Sequence, residues 1–144
     1  MDIRTPQTPE EWKAYYRLRF VVLREPWGQA EGTEVLADED QAIHAAAYSE
    51  DGTTLGVARL QRKDGDTGQV RCVAVSAEAQ GKGVGKALMA WLEERAAEEG
   101  MKEIILEARD NAVPFYLSIG YRILDKSHLL FGIIQHYTMS KRLG

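Results

Sequence analysis

Apolar and polar positions recur with different periods along this chain, and each change of period marks an element. Trp12, Tyr15, Tyr16, Arg19, Phe20 and Leu23 follow helical spacing, one face of an amphipathic helix interrupted at Arg19. Thr8-Pro9-Glu10-Glu11 supplies its start, with Thr8 as N-cap, Pro9 at the first helical position and Glu11 completing a capping box. Pro26-Trp27-Gly28 ends that pattern, and the run to Asp40, with Glu31, Glu34, Asp38 and Glu39, has no period and reads as an acidic loop. Such a loop is either a solvated face or a mouth that attracts a cationic amine.

Strand-like runs follow at 42–49, 54–62 and 69–76, separated by Asp51-Gly52 and Asp64-Gly65-Asp66, which predicts an antiparallel meander. Val84, Ala87, Leu88, Trp91, Leu92 and Ala96 then form a second amphipathic stripe that ends near Gly100. The apolar run Ile104-Ile105-Leu106 suits a buried strand over 102–108. A short helix is predicted over 111–119, closed by Gly120, with Pro114 in its first turn. Strands at 121–124 and 135–140 complete an α/β chain: a mixed sheet of six to seven mostly antiparallel strands with helices on both faces.

Length bounds this picture to one domain over residues 1–144, since 144 residues with 44% hydrophobic content support one core. A net charge of −4 argues against general nucleic-acid binding, so an anionic ligand must be held locally. The same acidic balance favours a cationic acceptor through steering. One cysteine and no Cys/His cluster point to no disulfide framework, no metal and a cytoplasmic setting. The opening residues lack a signal-peptide pattern, and no stretch reaches membrane-spanning length.

The chemistry concentrates where a strand passes through Ser76-Ala77-Glu78-Ala79-Gln80-Gly81-Lys82-Gly83-Val84-Gly85-Lys86 into a helix. Three glycines leave backbone N–H groups at a helix start open to phosphate oxygens. A P-loop does not fit, because the position five before Gly85 is Gln80 and Lys86 is followed by Ala87 rather than a hydroxyl residue. A dinucleotide fingerprint does not fit either, because the glycines are spaced Gly-x-Gly-x-Gly and several antiparallel strands come first.

Gln80-x-x-Gly83-x-Gly85 after Val73-x-Val75 resembles the coenzyme-A-binding signature of the GNAT superfamily of N-acetyltransferases. Ala112-Val113-Pro114-Phe115-Tyr116-Leu117-Ser118-Ile119-Gly120-Tyr121 resembles the same family's later Ala-x-x-Phe-Tyr-x-x-x-Gly-Phe/Tyr signature. The resemblance covers residues 53–141, and it implies acetyl-coenzyme A as acyl donor. Gln80, Gly81, Lys82, Gly83, Val84, Gly85 and Lys86 would cradle its pyrophosphate. Val73, Ala74 and Val75 would pair with the pantetheine arm, Phe115 would border it, and Tyr116 would protonate the departing thiolate. Asn111 is a candidate cofactor contact or a simple N-cap; Arg109 occupies the position where the family usually has a helpful asparagine.

A thioester is already activated, so the protein must chiefly position it beside a neutral amine and manage two protons. His44 and His136 are the candidate bases, with Glu34 and Asp40 as alternatives. Cys72 reads as a small buried residue rather than a nucleophile, and Trp27 and Glu34 are candidates for acceptor contact. The acceptor is expected to be a small-molecule or peptide amine, and a homodimer is the expected assembly. A non-catalytic acyl-coenzyme-A binding module with the same fold is the alternative.

Overall fold

A computed structural model describes residues 1–130 and 134–144. Its elements run β1 (Asp2–Arg4), α1 (Pro9–Leu23), β2 (Ile43–Tyr48), β3 (Thr54–Asp64), β4 (Thr67–Val75), α2 (Val84–Glu98), β5 (Glu103–Arg109), α3 (Val113–Ser118), β6 (Arg122–Leu130) and β7 (Ile134–Arg142). The seven strands form one sheet in the order β1-β2-β3-β4-β5-β7-β6. Among the described residues, only β4 and β5 are parallel neighbours; the other pairs are antiparallel.

Both faces of the sheet centre are covered, so its strands are apolar on both sides. Along β2, Ala46 and Tyr48 pack with Tyr15 of α1, Val57 and Ala74, while Ala45 and Ala47 join Leu88, Met89 and Leu92 of α2. Leu88 and Leu92 are fully buried, each worth about 2 kcal/mol by transfer. The predicted capping box is formed: Thr8 Oγ1 accepts from the Glu11 N–H at 3.1 Å and Glu11 Oε1 accepts from the Thr8 N–H at 3.3 Å.

Four features depart from the expectations. β1 is a three-residue edge strand with too short a pattern to announce itself, and β6 runs six residues beyond the predicted 121–124. Residue 19 is not a break in the α1 stripe, since Arg19 is completely buried. Nor is the whole acidic loop solvated, because Asp38 and Glu39 turn inward. Glu39 Oε2 lies 2.7 Å from Arg19 Nη1 and 3.1 Å from Arg59 Nη1, and Asp38 Oδ1 lies 3.0 Å from Arg59 Nη2. Arg59 is also completely buried, so these two carboxylates neutralise two guanidinium groups beneath α1.

Candidate active site

The site begins at a fork in the sheet. β4 and β5 pair through Thr67–Gln69 and Glu103–Ile105, and the parallel register stops there. β4 then bulges: Arg59 of β3 lies opposite Arg71, Val57 lies opposite Ala74, and Cys72 adopts φ 58°. A bulge bends its strand and interrupts the ladder, so Val73 to Val75 turn away from β5. Cys72 is half-buried at this bend.

A cleft of about 840 Å3 opens from the fork. Its lining includes Val73, Val75, Gln80, Gly81, Gly83, Val84, Gly85, Lys86, Asn111, Phe115 and Tyr116, all named by the sequence. Ala74 points the other way, into the cluster under α1, and Lys82 is not among the lining residues.

The turn into α2 is built to leave backbone open. Gly81 and Gly83 have φ of 77° and 82°, where side chains are strained, and the space over each is empty. Gly83 is the N-cap and no side chain among the described residues caps α2, so the first N–H groups of the helix stay open to a ligand. At Gly85 a Cβ would sit 3.2 Å from Phe115 Cζ, which explains how α3 approaches this turn closely. These features fit a phosphate-bearing coenzyme: an open, uncapped helix start beside a strand edge that β5 has left.

Tyr116 is buried, packs edge-on against Phe115 and Tyr121 at ring distances of 5.0 and 5.8 Å, and lines the cleft. Burial pushes its phenol up to about 12, with Arg109 pulling in the opposite direction. It is therefore a proton donor at neutral pH.

The two histidines separate cleanly. His44 is not in the cleft lining: its Nε2 donates to the Glu39 carbonyl at 2.7 Å and its Nδ1 meets the Tyr15 hydroxyl at 2.8 Å. Burial lowers its pKa, and both nitrogens are occupied in tying the acidic loop to the sheet. His136 does line the cleft, opposite Arg109 in the β5–β7 register. Its Nδ1 lies 3.1 Å from the Ile134 carbonyl. A carbonyl only accepts, so Nδ1 carries the hydrogen and the neutral ring presents a lone pair at Nε2. Burial depresses its pKa, as do the charges of His128 and Arg109, while the Ile134 carbonyl opposes them. His128 stacks on His136 at 4.5 Å.

Glu34 lies in a separate shallow depression with Glu31 and Arg17, and Asp40 is absent from the cleft lining. Trp27 is not among the cleft-lining residues; its ring lies 5.9 Å from the guanidinium of Arg109, which is. Beyond the candidates read from the sequence, the cleft is also lined by Val22, Leu23, Arg24, Arg71, Glu107, Arg109 and His128. The signal for Glu107 and Arg109 was their alternation with the buried Leu106 and Ala108, which puts both on one face of β5.

Comparison with known proteins agrees with this architecture. The family described as Acetyltransferase (GNAT) family matches residues 6–121. The uncharacterized N-acetyltransferase YjcF of Bacillus subtilis is 35% identical over 129 residues, covering 89% of each chain. Among solved structures, an aminoglycoside 6'-N-acetyltransferase complexed with coenzyme A has a TM-score of 0.86 at 16% identity, covering 100% of this chain and 98% of that one. A GCN5-related N-acetyltransferase from Kribbella flavida has a TM-score of 0.76 at 23% identity, with 99% and 97% covered.

Proposed function

The chain belongs to the GNAT family of acetyltransferases, and from that membership and the cleft we propose that it moves an acetyl group from acetyl-coenzyme A to an amine by direct attack. The observation that carries this reading is the uncapped, glycine-lined start of α2 at the mouth of the β4–β5 fork. The N–H groups of the turn would hold the pyrophosphate, helped by the α2 dipole and Lys86. The free edge of Val73 to Val75 would pair with the pantetheine arm and aim the thioester at the fork. The aminoglycoside acetyltransferase with coenzyme A bound shares this fold and supports the choice of coenzyme.

Attack forms the C–N bond and breaks the C–S bond, and two protons must move. The neutral His136 ring accepts the proton that the amine sheds, through Nε2 directly or through one water. The Tyr116 hydroxyl, held protonated by its burial, donates to the departing thiolate. The transfer needs no covalent intermediate on Cys72.

Calorimetric titration with acetyl-coenzyme A tests the coenzyme site without knowledge of the acceptor. We expect binding to the native chain and at least a tenfold loss in Gly83→Glu, which places a side chain and a negative charge at φ 82°. Circular dichroism checks that the variant is folded. Absence of binding to the native chain would overturn the reading.

A further inference from the structure

The cleft has an electrostatic character opposite to that of the whole protein. The chain carries −4, yet among the described residues the cleft walls hold Arg24, Arg71 and Arg109 against a single carboxylate, Glu107. Among the described residues none of the three arginines forms an ion pair, whereas the buried Arg19 and Arg59 both do. Glu107 accepts from the Thr138 hydroxyl at 2.7 Å.

The placement of these groups is set by the fold. Arg24 is half-buried at the C-terminal end of α1, its Nε donating to the Thr33 carbonyl at 3.2 Å. Arg109 is half-buried at the end of β5, cross-strand from His136 and beside the Trp27 ring. Burial and then the charge of Arg24 pull the Arg109 guanidinium below its ordinary value. Both arginines line the same cleft, and like charges there are disfavoured until an anion lies between or beside them. Arg71 is paired with Arg59 across β3 and β4, so it lies on the sheet face that α1 covers, the same side of the fork.

We propose that the amine acceptor carries an anionic group, a carboxylate or a phosphate, which Arg24 and Arg109 hold at the α1 end of the cleft while the amine lies toward Glu107 and His136. This inference rests on the acyl-transfer reading. It reverses the expectation of a cationic acceptor drawn from net charge, because net charge averages over surfaces that the acceptor does not touch. Guanidinium groups suit the task, since their planar donor fork matches a carboxylate or phosphate bidentately.

The test uses matched amines: a free amino acid against its amide, phosphoethanolamine against ethanolamine, and a simple diamine as the cationic member. Thiol release from acetyl-coenzyme A gives kcat/KM for each, and calorimetry on the coenzyme-A-loaded protein gives the affinity. We expect at least a tenfold preference for the anionic member of one pair, and which pair shows it separates carboxylate from phosphate. In Arg109→Gln that preference should fall toward one, with Arg109→Lys recovering part of it and the Kd for acetyl-coenzyme A changing by less than about twofold. Arg24→Gln should weaken the same preference. The ratio within a pair cancels any change at Tyr116 that is common to both acceptors.

Equal use of both members, a preference for the diamine, or a ratio untouched by Arg109→Gln would each overturn the inference while leaving acyl transfer standing. If no amine in the set is turned over, the calorimetric difference decides, and equal or absent binding of the anionic and neutral members overturns it. Failure of the native protein to bind acetyl-coenzyme A defeats the acyl-transfer reading instead.

Discussion

Arginines occur in two regions of this molecule under opposite conditions. Beneath α1, Arg19 and Arg59 are fully buried and share Glu39, with Asp38 completing the set. In the cleft, Arg24, Arg71 and Arg109 have no carboxylate partner among the described residues and remain reachable by ligand. Buried charge is tolerated only when it is paired and hydrogen-bonded, so the first group is a condition of folding. The second lines an open cleft with no carboxylate partner, and in the reading proposed above its partner comes from outside the chain. The same residue type is thus paired within the fold in one region and left open to a ligand in the other.

The largest effect should come from breaking the paired region. Glu39→Gln leaves Arg19 and Arg59 with only Asp38 between them, and we expect a loss of about 3–5 kcal/mol in urea unfolding. The pH dependence has a definite sign. Burial opposes ionisation of Glu39, but the Arg19 hydrogen bond, the Leu36 N–H and the charges of Arg19 and Arg59 hold it below its ordinary value of 4.5. A carboxylate depressed in the folded state stabilises above its unfolded pKa, and that stability is lost as pH falls through the folded value. Unfolding curves between pH 7 and pH 3 should therefore converge for the native chain and Glu39→Gln; parallel curves would mean that Glu39 is not the anchor.

In the cleft the expected losses are of rate and not of stability. Tyr116→Phe removes a hydroxyl with no described hydrogen-bond partner, so unfolding should change by less than about 0.5 kcal/mol. Its kcat should fall about a hundredfold while acetyl-coenzyme A binds as before. Unchanged kcat would remove the acid role from Tyr116. The pH profile sharpens the assignment of the base. Because burial depresses His136, kcat/KM should fall on the acid side with an apparent pKa below 6.5, and His136→Asn should abolish that limb. A limb that persists in His136→Asn would give the base to another group or to water.

What could be read from the sequence follows how locally each feature is encoded. The capping box and the Gln80–Lys86 turn lie within a few consecutive residues, so spacing alone located them. The choice between His44 and His136 depends on which face of the sheet each occupies, which strand order and register decide. Pairing of Glu39 with Arg19 and Arg59 spans 20 residues in each direction, so the loop read as either a solvated face or a mouth for an amine, and Arg19 as an interruption in its helix. Arg109 appeared only as a departure from the family pattern, because its meaning comes from Arg24, brought alongside it by the fold.

The smallest predicted effect tests the comparison most directly. If the cleft arginines contribute nothing to folding, Arg71→Gln and Arg109→Gln should each leave the unfolding free energy within about 0.5 kcal/mol of the native value. Arg109→Gln should lean toward stabilisation, since it removes a charge that is partly desolvated and opposed by that of Arg24. A marked loss of stability in either variant would mean that the cleft arginines are paired within the fold, as those under α1 are. A slight gain that vanishes when phosphate is added to the native chain would tie the stored repulsion to an anion site, since an anion binding only the folded state stabilises it by mass action.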